Sequence, residues 1–181
     1  MNQWEWGLLL FVILQRFGEC WMAEKNARWM KAKGAVEIGR EHYPLLVTVH
    51  VLLFVGLIVE CLGYGAQPPS WWMVPFIIFV LAQVARIWCI RSLGRCWNTR
   101  ILLVPGQEPR VKGPYKYLRH PNYLVVIMEL ICLPLMLGAF VTMVVVSVFN
   151  AFLLFGVRIP AEERAWREWT CYEERMPTRR M

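Results

Sequence analysis

Long apolar segments, separated by polar and charged connections, dominate the pattern of this chain. Each segment is about 16 to 22 residues long, which is near the length that a helix needs to cross a bilayer. The predicted spans are Trp4–Cys20, Tyr43–Tyr64, Trp71–Ile90, Asn122–Leu137 and Phe140–Val157. The pattern therefore predicts an all-α integral membrane protein with about five transmembrane helices.

Composition agrees with that prediction. Hydrophobic residues make up 57% of the 181 residues, which is more apolar surface than one soluble core of this size could bury. We find no repeat, low-complexity tract or linker, so residues 1–181 are predicted to form one domain, with the candidate chemistry in residues 91–181. The six cysteines contain no C-x-x-C pair, and neither a disulfide framework nor a metal site is predicted.

Basic residues set the predicted orientation, because Lys and Arg in short connections are retained on the cytoplasmic side. The connections after spans one and three are rich in Lys and Arg, whereas Gly65–Ser70 carries no charge. We therefore expect a multi-pass protein of the cell membrane, with its N-terminus outside and its C-terminus in the cytoplasm. The net charge of +7 reflects this topology, and no nucleic-acid partner is expected.

Charged residues inside predicted spans are costly in hydrocarbon and usually face a partner or a cavity. Arg16 and Glu19, three residues apart, are interpreted as a structural ion pair near the cytoplasmic interface. Glu60 and Arg86 lie towards the ends of their spans, where snorkelling to the headgroups and lining a site both remain open. Glu129, two turns into span four, is predicted to point inward and is a candidate for contact with a substrate.

The most informative stretch is Gly113–Tyr123, immediately before span four. Pro121 suits the first turn of a helix, which places His120 at or next to its N-cap. Backbone N–H groups at such a helix start favour an anion. The side chains that could add hydrogen bonds are Tyr115, His120, Asn122 and Tyr123. From composition alone, an interfacial belt of Tyr and Arg is an equal alternative.

A second polar cluster follows span five. Arg158 and Glu162 are four residues apart and share a helix face, while Pro160 between them predicts a kink or an unwound turn. Irregular backbone at membrane depth is tolerated only inside protein or beside a water-filled cavity. Because spans four and five are joined by a short turn and run antiparallel, the two polar clusters are predicted to meet.

These residues resemble a known family. Gly113-Pro-Tyr-x-Tyr-x-Arg-His-Pro-x-Tyr123, followed by Arg158-Ile-x-x-Glu162-Glu163, is similar to the isoprenylcysteine carboxyl methyltransferase family of integral membrane enzymes. The resemblance covers the C-terminal half and implies S-adenosylmethionine as cofactor. It implies cofactor contacts from Gln107, Glu108, Pro109, Arg110, Tyr115, His120, Pro121, Asn122, Tyr123 and Glu162. It also implies that Arg158 faces the substrate, with Arg158 and Glu162 as the catalytic residues.

The resemblance also bears on the methyl acceptor. Small bacterial relatives encoded beside type III polyketide synthases methylate an oxygen of long-chain alkylpyrones, and this chain looks closer to that group than to the eukaryotic enzymes. An alkylpyrone and an isoprenylcysteine-like carboxylate both join an apolar tail to an anionic oxygen, so either remains open. We expect such a substrate to enter from the bilayer, and the resemblance to that group implies a functional link to a type III polyketide synthase.

Two other classes of function stay open. Membrane sterol reductases carry an Arg-His-Pro-like motif but bind NADPH, and a non-catalytic membrane scaffold is the third option. From Pro160 onward the chain also predicts an interfacial helix with Ala165, Trp166, Trp169, Tyr172 and Met176 near one stripe. This C-terminal helix could serve either as a lid over the site or as an anchor to the membrane interface.

Overall fold

A computed structural model describes residues 3–108 and 110–169 of the chain. Its helices are α1 (Gln3–Ala32), α2 (Tyr43–Ile58), α3 (Met73–Leu93), α4 (Pro121–Leu137), α5 (Phe140–Leu153) and α6 (Ile159–Trp169). One π-helical turn, Val59–Gly63, follows α2, and another, Leu154–Arg158, joins α5 to α6. The prediction of an all-α membrane fold is confirmed.

All five predicted apolar segments form helices, but their lengths differ. Within the described residues, four helical stretches are long and apolar enough to cross a membrane. These are Gln3–Ala32, Arg40–Gly63, Met73–Cys96 and Phe140–Trp169. The remaining apolar helix, α4, has 17 residues, at the short end of what a span requires.

The first helix extends beyond the predicted span Trp4–Cys20. Helix α1 has 30 residues and continues to Ala32, so it is about 45 Å long and exceeds the roughly 30 Å hydrocarbon core. The second half stays helical because Ala23, Ala27 and Met30 form a buried stripe at helical spacing. Of the basic residues in the predicted connection after span one, Lys25, Arg28 and Lys31 therefore lie on a helical extension, whereas Lys33 and Arg40 follow it.

Apolar side chains from several helices form the core. It includes Leu9 of α1, Leu53 and Leu57 of α2, Phe79 of α3, Leu133 and Met136 of α4, and Val146 of α5. The turn between α4 and α5 depends on Gly138, which has φ 74°. A Cβ there would also lie 2.1 Å from the carbonyl oxygen of Gln67, so only glycine fits this close approach.

Glu60 neither snorkels nor lines the candidate site, the two roles left open by the sequence. Its carboxylate accepts hydrogen bonds from the backbone N–H groups of Val141 (3.1 Å) and Thr142 (2.8 Å), and from the Thr142 hydroxyl (2.7 Å). The first N–H groups of a helix have no partner within the helix, and a carboxylate satisfies them. Glu60 thus caps the start of α5.

Two short strands, which the sequence did not predict, tie the polar connections together. Strand β1 (Val36–Ile38) pairs antiparallel with β2 (Ile101–Leu103), with Val36 opposite Leu103. On β2, Ile101 and Leu103 pack against Ala165 of α6. The strand pair therefore links the connection after α1, the connection after α3 and the C-terminal helix at the level of the candidate site.

Candidate active site

A cavity of about 170 Å³ lies where the start of α4, the turn before α6 and strand β2 converge. Residues from both polar clusters line it: Tyr115, His120, Asn122 and Tyr123 from the first, and Arg158 and Glu162 from the second. The prediction that the two clusters meet in space is confirmed.

The start of α4 has the predicted cap. His120 is the N-cap and Pro121 occupies the first helical position. The imidazole of His120 stacks on the ring of Tyr123, with centroids 5.4 Å apart and an interplanar angle of 20°. Its Nε2 lies 3.4 Å from Oε1 of Glu163, and its Nδ1 lies 3.9 Å from Oε2 of Glu162. Each ring nitrogen of His120 therefore faces a carboxylate of α6.

A chain of hydrogen bonds links Arg158 to Glu162. Pro160 predicted irregular backbone in this region, and the structure has a π-helical turn there, which ends at Arg158. Arg158 is 3% exposed. Its Nε donates to the hydroxyl of Tyr123 at 3.2 Å, and that hydroxyl in turn donates to Oε2 of Glu162. The phenol of Tyr123 thus fixes the guanidinium and the carboxylate relative to each other.

The second contact of Arg158 is a backbone carbonyl in the connection between α3 and β2. Its Nη2 donates to the carbonyl oxygen of Thr99 at 2.7 Å. Two amides hold this connection to α1: Asn26 Nδ2 donates to the carbonyl of Trp97 (2.7 Å), and Asn98 Nδ2 donates to that of Ala23 (2.9 Å). The helical extension of α1 therefore supports the loop that contacts Arg158.

Most of the predicted site residues line the cavity. Gln107, Glu108 and Arg110 of the preceding loop do so as well. Pro109 lies outside the described residues. Pro121 is buried and supports the helix start without lining the cavity. Of the predicted stripe on the last helix, Ala165 is buried and Trp166 lines the cavity, whereas Tyr172 and Met176 lie outside the described residues.

Glu129 does not line this cavity, so the geometry does not support the predicted contact with a substrate. Its Oε1 lies 2.7 Å from Nη2 of Arg16 and accepts a hydrogen bond from Gln83 at 2.9 Å, while its Oε2 pairs with Arg86. Arg86 is buried rather than snorkelling, and its Nε lies 3.7 Å from Glu19. The predicted Arg16–Glu19 pair is confirmed at 2.8 Å, but it belongs to this larger intramembrane network.

Sequence reasoning missed the wall formed by residues 97–104. Trp97, Asn98, Thr99, Arg100 and the three residues of β2 all line the cavity. The polar run Asn98-Thr99-Arg100 between an apolar span and the Gly-Pro-Tyr turn was the available signal. It could not be interpreted without the partners on α1 and α6, which are distant in the sequence.

The Gly-Pro-Tyr turn is held tightly against α3. Gly113 has φ 57°, which favours glycine, and a Cβ there would also lie 2.0 Å from Oγ of Ser92 and 2.9 Å from Nε1 of Trp88. The turn places Tyr115 in the wall of the cavity. Burial, followed by the neighbouring Cys89 and Glu162, raises the pKa of Tyr115 well above its ordinary value. Tyr115 therefore remains a neutral phenol that can donate a hydrogen bond.

Two groups in the wall of the cavity fit S-adenosylmethionine, the cofactor that the resemblance implies. The indole Nε1 of Trp97, in a side chain only 1% exposed, has no hydrogen-bond acceptor among the described residues. An unsatisfied buried donor is costly, and a bound ligand would provide its acceptor. The carboxylate of Glu162 suits hydroxyl or ammonium donors of the ligand. In the part of the chain that the structure describes, no group of His, Cys, Asp and Glu could hold a metal ion.

Comparison with known proteins agrees with this geometry. The chain is 46% identical over 165 residues to "Uncharacterized protein YpbQ" of Bacillus subtilis (strain 168), covering 91% of this chain and 98% of the relative. It is 28% identical over 155 residues to an "Uncharacterized protein" of Haemophilus influenzae (strain ATCC 51907 / DSM 11121 / KW20 / Rd), covering 85% and 90% respectively. No solved structure matches. The sequence pattern of one family matches residues 73–168, which contain both polar clusters. The chain belongs to the isoprenylcysteine carboxyl methyltransferase (ICMT) family of membrane methyltransferases.

Proposed function

We propose that this protein is an S-adenosylmethionine-dependent O-methyltransferase that acts on an anionic oxygen of a lipophilic substrate. Its family supports the reaction class, since ICMT family enzymes use S-adenosylmethionine. The observation that carries the choice of acceptor is the environment of Arg158. That side chain is a buried cation in the wall of the cavity.

The described partners of Arg158 are both neutral. Thr99 offers a carbonyl and Tyr123 a hydroxyl, and no ion pair within the described residues involves Arg158. A buried charge normally has a partner of opposite charge, because desolvation without one is costly. A guanidinium also has further N–H donors arranged in a fork that suits a carboxylate or another planar oxyanion. An anionic acceptor would provide the missing partner.

The residues of the chain act mainly by positioning in this mechanism. S-adenosylmethionine, when bound, supplies a methyl group on a positively charged sulfur that leaves as a neutral thioether. Arg158 holds the acceptor oxygen, and the hydrogen bond from Arg158 to Tyr123 fixes the direction of its guanidinium. Because the acceptor is already an anion, no general base has to remove a proton. The apolar wall of β2 excludes water from the same cavity.

We assign the cofactor contacts to cavity side chains near Glu162, which is the other end of the hydrogen-bonded chain that begins at Arg158. Glu162 and His120 are held by Tyr123 and Glu163, while Tyr115 and Asn122 contribute donors. Gln107, Glu108 and Arg110 form the loop side of the cavity. Glu162 contributes to both parts of the site, because the Tyr123 hydroxyl connects it to Arg158.

An alkylpyrone-type polyketide and an isoprenylcysteine-like carboxylate both fit the proposed chemistry. Each combines an anionic oxygen for Arg158 with an apolar tail that can remain among the helices. We place the cavity on the cytoplasmic side, with the N-terminus outside, because the connections that form it carry most of the Lys and Arg residues. The cofactor then enters from the cytoplasm and the acceptor from the bilayer. A type III polyketide synthase is the proposed functional partner for the alkylpyrone case.

The test uses the purified full-length protein in lipid nanodiscs. We expect calorimetry to show binding of S-adenosylmethionine, and radiolabelled cofactor to transfer methyl groups to a long-chain hydroxypyrone or to a farnesylated cysteine derivative. Arg158→Gln should abolish most turnover while cofactor affinity stays within about threefold, because the lost contact is to the acceptor. Arg164→Gln, at an exposed arginine of α6, is the matched control and should behave as the wild type. Binding of NADPH without binding of S-adenosylmethionine would instead support a reductase.

A further inference from the structure

Within residues 3–108 and 110–169, the intramembrane ion network reaches the candidate cofactor cavity through the side chain of Asn122. Arg86, buried in α3, donates from Nη1 to Oδ1 of Asn122 at 3.3 Å and from Nη2 to Oε2 of Glu129. Asn122 and Glu129 are two turns apart on α4, so the guanidinium spans that face of the helix. Of these three residues, only Asn122 lines the cavity.

The chemistry of Arg86 determines which end of the Asn122 amide faces the cavity. A guanidinium has donors and no acceptor, so it must face the oxygen of the amide and not the NH₂ group. The NH₂ group of Asn122 then points away from Arg86. Among the described residues, no hydrogen bond from this NH₂ group is formed, and because Asn122 lines the cavity, the group is available there as a donor.

The surroundings of this NH₂ group favour an anion. Asn122 is the second residue of α4, after His120 at the N-cap and Pro121, and α4 has 17 residues. The start of a helix of this length carries partial positive charge. An amide donor at such a helix start suits a carboxylate, and among the parts of S-adenosylmethionine only the methionyl end has one.

We propose that Arg86 is a positioning residue for the cofactor site, which orients Asn122 so that its NH₂ group binds the methionyl carboxylate of S-adenosylmethionine. Glu129 holds Arg86 in place, and Glu19 and Arg16 complete the charge balance. This inference rests on the proposed function. Under this proposal, the ionised side chains of the network contribute to ligand recognition through Asn122, although they do not line the cavity themselves.

The test compares two ligands that differ at the carboxylate. S-adenosylhomocysteine has the amino acid end, whereas 5′-methylthioadenosine lacks it. Asn122→Asp keeps an oxygen for Arg86 but replaces the NH₂ group with a second oxygen. We expect it to weaken binding of S-adenosylhomocysteine by roughly tenfold or more and to change binding of methylthioadenosine by less than about threefold, measured by calorimetry in nanodiscs. Equal changes for the two ligands, or none, would overturn the contact.

A second variant tests the positioning step itself. Arg86→Lys retains a cation for Glu129 but loses the fork that reaches both Glu129 and Asn122. It should lower the preference for S-adenosylhomocysteine over methylthioadenosine by about fivefold, and an unchanged preference would refute the role of Arg86. Gln83→Met is the control, since Gln83 donates to Glu129 without contacting Asn122, and it should leave the preference unchanged. If neither ligand nor S-adenosylmethionine binds the wild type, the proposed function fails instead.

Discussion

Arg86 and Arg158 are equally buried, each 3% exposed, yet their surroundings are opposite. Arg86 pairs with Glu129 and lies 3.7 Å from Glu19. Arg158 contacts a carbonyl and a hydroxyl among the described residues. The first cation has carboxylate partners within the protein, whereas no described residue forms an ion pair with the second, and we propose that the acceptor does so.

This difference separates a charge that packs the helices, and through Asn122 supports the proposed cofactor site, from one that is proposed to contact the acceptor directly. The network around Arg86 joins α1, α3 and α4 and contains two arginines and two glutamates, so its formal charge is zero. Removing one member leaves an unpaired charge inside the membrane region. Removal of Arg158 breaks no ion pair among the described residues, so we expect this change to affect turnover more than folding.

The largest expected effect is therefore on stability, at Glu129. Glu129→Leu would leave Arg86 and Arg16 with Glu19 as the remaining carboxylate of the network. We expect a loss of about 3–5 kcal/mol in the free energy of unfolding, measured by titration with sodium dodecyl sulfate in mixed micelles. Arg158→Leu is the comparison and should lose much less. Equal losses for the two variants would show that Arg158 is also a structural charge.

The next largest effect should be on turnover, at Arg158. Arg158→Lys keeps the positive charge but replaces the planar guanidinium with a compact ammonium group. That group cannot bind an oxyanion and the Tyr123 hydroxyl at the same time. We expect kcat to fall by roughly 10²-fold, with little change in melting temperature or in cofactor affinity. Steady-state kinetics with saturating S-adenosylmethionine measures this. A variant with normal kcat and only a higher KM would mean that Arg158 merely binds the acceptor.

The sequence predicted the helical segments and the meeting of the two polar clusters because both follow from local patterns. Apolar length identified the spans, and the antiparallel arrangement of spans four and five returned His120 and Arg158 to one level. Pro121 and Pro160 predicted the helix start and the irregular turn. These features depend on residues close together in the sequence or on one short turn.

Features that depend on distant partners were not predicted. Glu60 caps α5 from the end of α2, and Thr99 contacts Arg158 through a loop that α1 supports. Glu129 was expected to face a substrate because it points inward, which it does. An inward-pointing carboxylate can contact either a ligand or a side chain of another helix. Glu129 contacts Arg16 of α1 and Arg86 of α3, whose positions in space the sequence did not reveal.

A smaller effect on turnover is expected at Tyr123, because its hydroxyl connects Arg158 to the carboxylate of Glu162. A variant at this position tests whether the surroundings of Arg158, unlike those of Arg86, serve the reaction. Tyr123→Phe removes the hydroxyl that accepts from Arg158 and donates to Glu162. Loss of one such buried hydrogen bond costs about 1–3 kcal/mol, so kcat should fall by roughly tenfold. Tyr117→Phe, at a side chain 67% exposed, is the control and should leave kcat unchanged. If both variants retain full turnover, Arg158 does not need Tyr123 for its orientation.

The smallest effect should come from an ion pair outside the membrane region. Glu37 of β1 lies 2.5 Å from Nζ of Lys31 and 3.6 Å from Nη1 of Arg100. Burial alone would raise the pKa of Glu37, but the hydrogen bond from Lys31 and the charges of Arg100, Lys31 and Arg40 lower it below its ordinary value. The paired carboxylate therefore favours the folded state once the pH exceeds the pKa of Glu37 in the unfolded chain.

That stabilisation should disappear as the pH falls through the lower pKa of the folded state, because Glu37 is then protonated in both states. Melting temperatures of the wild type and of Glu37→Gln, measured from pH 7 to about pH 3, isolate this group from the other carboxylates. We expect a difference equivalent to less than about 1 kcal/mol at neutral pH, which begins to shrink as the pH falls below the ordinary glutamate pKa of about 4.3 and continues to shrink on further acidification. A difference that grows on acidification would mean that the carboxyl is more stable protonated, and that the pairing with Lys31 and Arg100 does not set its pKa.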